Sequence, residues 1–211
     1  DPREYLPFLR ELRSLEHYYQ RFRIDDHLKR YQKALTNLSL AGAERFEEAM
    51  AYAEKHRLYD HALSIWRDTD KYDAVLNIYG DWLFDRRDFR EAAFVFRQAK
   101  KPEKAMISHE KALDWQELFE LAVQQGHSPE DLKNIAYRVA EDLTSKKRTS
   151  EASLVLLDYA QDVREATIAL VEGSHFSEAR RIVSFYIAGR SYWKRSFILE
   201  RSSVVPALRK S

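Results

Sequence analysis

A group of basic and aromatic side chains near the C-terminus has the clearest chemical potential in this sequence. The aromatic members are Tyr192, Trp193 and Phe197. The basic members are Arg190, Lys194, Arg195 and Arg201. Cationic side chains neutralise phosphates and exposed rings stack on bases, so this combination is typical of a surface that contacts RNA. The alternative is a solvated, partly frayed chain end.

Other chemistry finds no support in the residue pattern. His56 and His61 are five residues apart, so they do not share a helix face as an i, i+4 metal pair would. The chain has no cysteine, which excludes disulfides, zinc fingers and cysteine nucleophiles. Glycine-rich phosphate loops, a Gly-x-Ser-x-Gly elbow and a His-Glu-x-x-His motif are absent from the sequence. The sequence therefore predicts no metal, no cofactor and no enzymatic activity.

The charge is unevenly distributed along the chain. The formal net charge of +1 comes from 35 basic and 34 acidic side chains. Residues 180–211 carry eight basic residues and one acid, a net charge of +7, and the preceding 179 residues carry 27 basic and 33 acidic residues, a net charge of −6. The near-neutral total therefore conceals an acidic body with a basic tail.

Composition predicts the secondary-structure class. Five Gly and five Pro in 211 residues are too few for the many turns of a β-sandwich or an α/β sheet. Apolar stretches span only a few residues, far short of the ~20 that a membrane-spanning helix needs. An all-α chain without a membrane segment is expected.

A short repeat defines the elements. An aromatic or turn residue, two polar residues and then Ala recur, as in Phe46-Glu47-Glu48-Ala49 and Phe89-Arg90-Glu91-Ala92. Ten copies start at residues 46, 59, 72, 89, 102, 115, 129, 149, 163 and 176. The commonest interval, 13 residues, holds one helix of about ten residues and a tight turn. The sequence predicts an α-solenoid of stacked short helical hairpins, similar to tetratricopeptide repeats.

The repeat also sets the predicted boundaries. Residues 1–42 are expected to form two longer helices, roughly 2–20 and 26–40, and residues 43–188 to form the helical repeats. Residues 189–211 form the basic tail, with one more helix near 192–201. Ser128-Pro129 is a helix start, and Gly42, Gly126 and Gly173 mark helix ends.

Several runs of residues are too specific for a generic helical pattern. The most specific is Asp1-Pro2-Arg3-Glu4-Tyr5-Leu6-Pro7-Phe8-Leu9, followed by Tyr19-Gln20-Arg21-Phe22 and Leu28-Lys29-Arg30-Tyr31. Leu58-Tyr59, Ala112-Leu113-Asp114-Trp115 and Ala160-Gln161-Asp162 follow in the chain. In this order the runs resemble the C-terminal half of the Elongator scaffold subunit, the IKAP family. The resemblance covers residues 1 to about 185, and beyond that it is weaker, chiefly at 204–207.

The resemblance implies a function that the residues alone do not indicate. It implies a scaffold of the complex that modifies carbon 5 of the wobble uridine in tRNA, and a cytoplasmic location, with the nucleus left open as a second compartment. The chemistry belongs to a different, radical-SAM and acetyltransferase subunit. The family's basic segment implies tRNA contact here at Arg190, Lys194, Arg195 and Arg201. Its dimerisation element implies pairing with a second copy through Val204, Val205 and Leu208.

Three hypotheses follow. The leading one is a non-catalytic scaffold and dimerisation segment that contacts other Elongator subunits. The second is an RNA-binding module that acts through the basic tail. The third is a generic peptide-binding helical-repeat adaptor, against which the run 1–9 argues because a generic solenoid has no reason to carry it.

Overall fold

The computed structural model describes residues 2–188, with the helical backbone alone for residues 2–5 and 8. Over this range the chain forms twelve α-helices and no strand, which confirms the predicted all-α, tetratricopeptide-like solenoid class. None of these helices is both long enough and apolar enough to cross a membrane. The helices are α1 (Pro2–His27), α2 (Tyr31–Leu40), α3 (Phe46–His56), α4 (Tyr59–Trp66), α5 (Tyr72–Asp85), α6 (Phe89–Gln98), α7 (Pro102–Ala112), α8 (Trp115–Gln124), α9 (Pro129–Ser145), α10 (Thr149–Val155), α11 (Val163–Glu172) and α12 (Phe176–Ala188).

The repeated pattern located the helix starts of α3 to α12 correctly. These ten helices begin at residues 46, 59, 72, 89, 102, 115, 129, 149, 163 and 176, as predicted. A 3₁₀ turn at Ala43–Arg45 precedes α3, and a π-helical turn at Leu156–Ala160 extends α10. The predicted tail and its helix at 192–201 lie outside the described residues.

The predicted bounds of the two N-terminal helices were wrong. α1 continues to His27 instead of ending near residue 20, and α2 begins at Tyr31 instead of near residue 26. The last turns of α1 carry Asp26, whose carboxylate accepts a 2.8 Å hydrogen bond from the Tyr52 hydroxyl of α3. Because this contact joins residues far apart in the chain, no local pattern signalled it.

Most helices end on a residue in the left-handed backbone conformation, which closes the last turn. Glycine is the usual residue there, but in this chain only Gly126 among the described helix ends fills the role. Gly173 has a φ of −80°, and the next residue takes the left-handed conformation instead. The non-glycine residues with positive φ are Lys29, Arg57, Arg87, Lys100, Leu113, Lys147, Gln161 and Ser174.

At every such turn except the one at Gly126, one residue links the turn to the next helix. Between α9 and α10, the Arg148 N–H donates to the Leu143 carbonyl at 2.9 Å and closes α9. The Arg148 carbonyl accepts from the Ala152 N–H at 3.1 Å and opens α10. The same residue thus completes one helix and starts the following one. The other residues with both bonds are Arg30, Leu58, Asp88, Lys101, Asp114, Asp162 and His175.

This linking residue explains most of the intervals, although the 13-residue interval from Tyr59 to Tyr72 contains none. The 14-residue interval after Trp115 contains a separate N-cap, Ser128, in a capping box with Asp131. The 14-residue interval after Thr149 contains the π-helical turn, so the Asp162 N–H bonds the Leu156 carbonyl, six residues back instead of five. The intervals of 17 and 20 belong to the longer helices α5 and α9. Relative to the 13-residue interval, these two add four and seven residues, which are about one and two helical turns at 3.6 residues per turn. The same face of the helix therefore still points to its neighbours.

Small residues allow neighbouring helices to approach. The Ala of the repeat is 0% exposed in α3, α4, α6, α7, α10 and α11. In α5, a Cβ atom added at Gly80 would lie 2.6 Å from the ring of Phe96 in α6. A side chain at these positions larger than the native one would separate the helices or force the ring to move.

Two compact units make up the chain, Asp1–Ser108 and His109–Ser211. In the first unit Leu35, Leu38 and Ala53 are 0% exposed and belong to one hydrophobic cluster. In the second unit the rings of Phe119 and Tyr159 are stacked with centroids 3.7 Å apart.

A polar cluster ties α8 to α10 within the second unit. The Arg148 guanidinium donates two hydrogen bonds of 2.7 Å to the Glu151 carboxylate, and the Trp115 indole N–H donates a third at 3.0 Å. These bonds favour the charged carboxylate, so the Arg148 guanidinium and then the Trp115 indole lower the pKa of Glu151. Glu151 lies in the first turn of α10, and its side chain serves packing as well as the helix start.

The left-handed residue Lys147, in the turn between α9 and α10, provides a test of the helix-end conformation. Lys147 is exposed and has a φ of 61°. Because glycine has no Cβ penalty in this conformation, Lys147→Gly should raise the free energy of unfolding by about 1 kcal/mol. Lys147→Ala is the matched control and should leave it nearly unchanged, since alanine keeps the Cβ. Urea unfolding followed by circular dichroism measures both, and an equal effect of the two variants would contradict the strain argument.

Candidate functional site

All seven residues with a predicted binding role lie outside the described part of the chain. Those predicted to contact tRNA are Arg190, Lys194, Arg195 and Arg201. Those predicted to dimerise are Val204, Val205 and Leu208. Their roles therefore stay predictions.

Histidines and carboxylates show no metal-binding arrangement within residues 2–188, where no group of three or more could hold an ion. The two histidines that the sequence analysis compared have packing roles. The His56 ring stacks on Tyr31 with centroids 3.9 Å apart. The His61 Nε2 lies 2.8 Å from the Thr36 hydroxyl.

The second unit contains a large open groove. Its volume is about 1230 Å³, and its walls come from α9, the end of the π-helical turn, α11 and α12. The walls are mainly apolar, with charged groups between and beside the apolar residues. The principal lining residues are Lys133, Tyr137, Asp162, Ile168, Val171, Val183 and Tyr186.

A hydrogen-bonded pair fixes the polar end of the groove. The Tyr137 hydroxyl of α9 donates to Asp162 Oδ2 at 2.7 Å. The other carboxylate oxygen, Oδ1, accepts from the Glu165 backbone N–H at 3.0 Å and so caps α11. One side chain therefore starts α11 and holds it against α9.

The electrostatics of the pair follow from these bonds. The Glu165 backbone N–H is the main cause of the lowered pKa of Asp162, and burial opposes it. The Tyr137 hydroxyl and the Lys133 ammonium lower the pKa of Asp162 further. The same hydrogen bond raises the pKa of Tyr137, because it favours the protonated phenol. Asp162 is thus a charged, fully engaged acceptor suited to holding helices in place.

The apolar wall of the groove is unusually exposed. Ile168 and Val171 of α11 are 39% and 47% exposed, and Val183 and Tyr186 of α12 are 37% and 46% exposed. Within α12, Ala179 is the one residue that the described structure buries. Exposed apolar groups that line a common groove are typical of a binding surface, whereas single ones are common on any protein.

Sequence reasoning missed this groove, although a signal was present. In α11 the buried stripe consists of Ala166, Ala169 and Leu170. Ile168 and Val171 form a second apolar stripe on another face of the same helix, three residues apart. A second apolar stripe on a short helix indicates a second contact surface besides the buried one.

The groove suits binding of a polypeptide better than catalysis. Its volume exceeds the about 300–1,000 Å³ of a usual small-molecule site, and it is open. Its Tyr137–Asp162 pair already uses both carboxylate oxygens. An apolar wall with charged groups at its edge matches the amphipathic face of a helix.

A protein-family comparison matches most of the chain. The model described as "ELP1 TPR domain" matches residues 19–181. This match includes the last third of α1, all of α2 to α11 and about half of α12, and it includes most of the groove.

Several curated relatives are proteins named Elongator complex protein 1. Elongator complex protein 1 of Mus musculus is 40% identical over 187 residues, which is 88% of this chain and 14% of that protein. The Saccharomyces cerevisiae protein of this name is 37% identical over 169 residues, 79% of the chain and 12% of that protein. The Drosophila melanogaster protein is 33% identical over 180 residues, 85% and 14% respectively. The chain therefore spans about one-seventh of the length of these relatives.

The polar end of the groove gives a pH-dependent prediction. Because the folded-state pKa of Asp162 is lowered, its contribution to stability is present above the unfolded value of about 3.9 and is lost as the pH falls through the folded value. Tyr137→Phe should raise the pKa of Asp162 in part, since the Glu165 N–H bond remains. Carboxyl-detected NMR titration measures the shift. Tyr186→Phe, on the opposite wall, is the control, and equal shifts in both variants would contradict the assignment.

Proposed function

Because the chain belongs to the ELP1 TPR-domain family, we propose that it is a non-catalytic scaffold segment of the Elongator complex. In this role it supports modification of carbon 5 of the wobble uridine in tRNA by a separate catalytic subunit of radical-SAM and acetyltransferase type. The match of the family model to residues 19–181 is the observation that carries the proposal. The names of the relatives support membership in the complex.

The geometry is compatible with a structural role. Backbone bonds at the linking residues join successive helices, and carboxylates at helix starts, such as Glu151 of α10 and the N-cap Asp162 of α11, are engaged in holding helices together. The groove offers an apolar surface to a polypeptide. These features support a chain that positions other macromolecules.

The proposal includes partners beyond this chain. Other Elongator subunits, among them the catalytic one, are the principal partners. A second copy of the chain is proposed to pair through Val204, Val205 and Leu208. The cytoplasm is the proposed location.

A capture experiment tests the scaffold proposal. The tagged 211-residue chain is incubated with eukaryotic lysate, and bound proteins are identified by mass spectrometry. We expect recovery of Elongator subunits, because a scaffold holds them by protein contacts. The chain alone is expected to show no turnover of tRNA wobble uridine.

A matched variant separates specific capture from adsorption to the basic tail. Ala152 of α10 is 0% exposed, so Ala152→Arg should disrupt the packing of the second unit while leaving the tail unchanged. Loss of Elongator subunits in this variant supports the proposal. Failure to recover any Elongator subunit with the native chain, or equal recovery with both chains, would count against it.

The charge segregation favours a second function, tRNA contact by the tail. Residues 180–211 carry a net charge of +7, which favours phosphate binding. Replacing the four proposed contacts by alanine should weaken tRNA binding and reduce the slope of log K against log salt by about 0.7–0.9 per lost contact. The contacts are Arg190, Lys194, Arg195 and Arg201.

The control for this measurement keeps the tail charge. Ser202→Ala with Ser203→Ala alters the same segment without removing a cation. Filter binding across a salt series measures both variants. Absence of affinity at low salt, or an unchanged salt slope after the four substitutions, would rule out the tail as the contact.

A further inference from the structure

We propose that the groove of the second unit binds α1 of a second copy of this chain, in a head-to-tail contact. The contact joins the exposed early turns of α1 in one copy to the wall that α11 forms in the other. The proposal rests on described helices only, and it is independent of both the scaffold role and the pairing through the tail.

The early turns of α1 present apolar side chains to solvent. Every described side chain from Leu6 to Ser14 is exposed. Leu9 and Leu12 are 56% and 45% exposed. Farther along the same helix, Phe22 is buried in the hydrophobic cluster of the first unit. The helix is therefore anchored at its later turns, and its earlier turns are available for a contact.

The α11 wall of the groove is exposed as well. Ile168 and Val171 are 39% and 47% exposed. Arg164 lines the groove four residues before Ile168 and is also exposed. Because the α1 face and this wall are exposed in the same molecule, neither covers the other within one chain. A second copy can cover both.

The two surfaces have the same residue spacing when the helices run antiparallel. Each consists of a charged residue, an apolar residue four positions away and a second apolar residue three positions beyond it. Residues at these spacings share one helix face. The facing pairs are Glu16 with Arg164, Leu12 with Ile168, and Leu9 with Val171. The contact therefore joins opposite charges at one end and apolar side chains along the rest.

The charges that line the groove complement this orientation. Lys133 and Arg164 lie where α11 begins, and the Asp162 carboxylate there balances one of the two cations. Glu172 lies at the other end of α11. One positive charge thus remains at the start of α11 for the exposed carboxylate of Glu16 in the second copy.

The other charged residues of these α1 turns lie beside or away from the contact. At about 100° per residue, Arg10 and Glu11 lie about 100° to 160° around the helix axis from each of the three facing residues. Arg13 and Leu6 lie at the border of the face, next to Leu9. Glu11 is therefore a matched control for Glu16, because both are exposed glutamates of one helix.

A head-to-tail contact behaves differently from a two-fold pairing. Each copy uses its α1 for one neighbour and its groove for another, so the contact extends in open chains and does not close a dimer. A copy with a defective α1 can then still bind a copy with a defective groove. This complementation is the property that the experiment uses.

Two variants separate the halves of the contact. Val171→Glu blocks the groove and leaves α1 intact, whereas Leu12→Glu blocks α1 and leaves the groove intact. Both native side chains are exposed, so neither change disturbs a core. Every chain also carries Val204→Ser, Val205→Ser and Leu208→Ser, so that the proposed tail pairing does not contribute. Sedimentation velocity measures association at up to about 100 µM.

The mixture of the two variants decides the proposal. We expect it to form a complex of two chains of about 25.0 kDa each, whereas each variant alone should associate about tenfold more weakly or less. Chains without either substitution should form larger species as their concentration rises. Phe94→Glu, at a position 61% exposed in α6, is the control and should behave like those chains. Equal association of the mixture and of either variant alone, or no association of the mixture, would overturn the proposal.

Charge reversal tests the antiparallel register. Within the mixture, Glu16→Lys in the chain that supplies α1 should weaken association about threefold, and Arg164→Glu in the chain that supplies the groove should restore it. Glu11→Lys should leave association unchanged, because this residue faces away from the contact. An equal effect of Glu16→Lys and Glu11→Lys, or no recovery with Arg164→Glu, would overturn the proposed contact.

Discussion

Double hydrogen bonding of one backbone residue sets the spacing at eight of the eleven connections between the described helices. Its N–H closes one helix and its carbonyl opens the next, as at Arg148. The preceding residue must then adopt a left-handed conformation, which costs a non-glycine residue about 1–2 kcal/mol. Two hydrogen bonds of about 1 kcal/mol each are enough to offset that cost. At these connections one helix follows the other with no spare residue, which gives the 13-residue interval after Phe46, Phe89, Pro102 and Val163.

Longer helices keep the packing because the extra residues come in whole turns. α5 and α9 extend the interval by four and seven residues, so their buried faces still meet their neighbours. Where a single residue is added after Thr149, the chain absorbs it in the π-helical turn. This rule lets insertions accumulate without loss of the core, and it leaves Asp162 in position to start α11.

Asp162 connects this architecture to the groove. Its carboxylate caps α11 and accepts from the Tyr137 hydroxyl, so the same contact that starts a helix also fixes one end of the binding surface. The exposed apolar wall then stands on a rigid support, which reduces the entropy lost when a partner binds. A scaffold segment within Elongator would use such surfaces, because its contribution is position and not chemistry.

The sequence by itself determined the helix starts, because a short repeat recurs at all ten positions from Phe46 to Phe176. The fourth residue of the repeat is Ala in seven copies, and it is Val75, Leu118 or Leu132 in the other three. It also determined the charge segregation and the lack of metal-ligand spacing, which depend on residue identity alone. Tertiary structure decided the end of α1, held by Asp26 and Tyr52, and the use of Lys147 and similar residues at left-handed turns. It also decided the groove, since the second apolar face of α11 becomes a site only when α9 and α12 stand beside it. The end of α1 and the groove depend on contacts between residues distant in the chain, and a periodic pattern read along one helix contains no information about its neighbours.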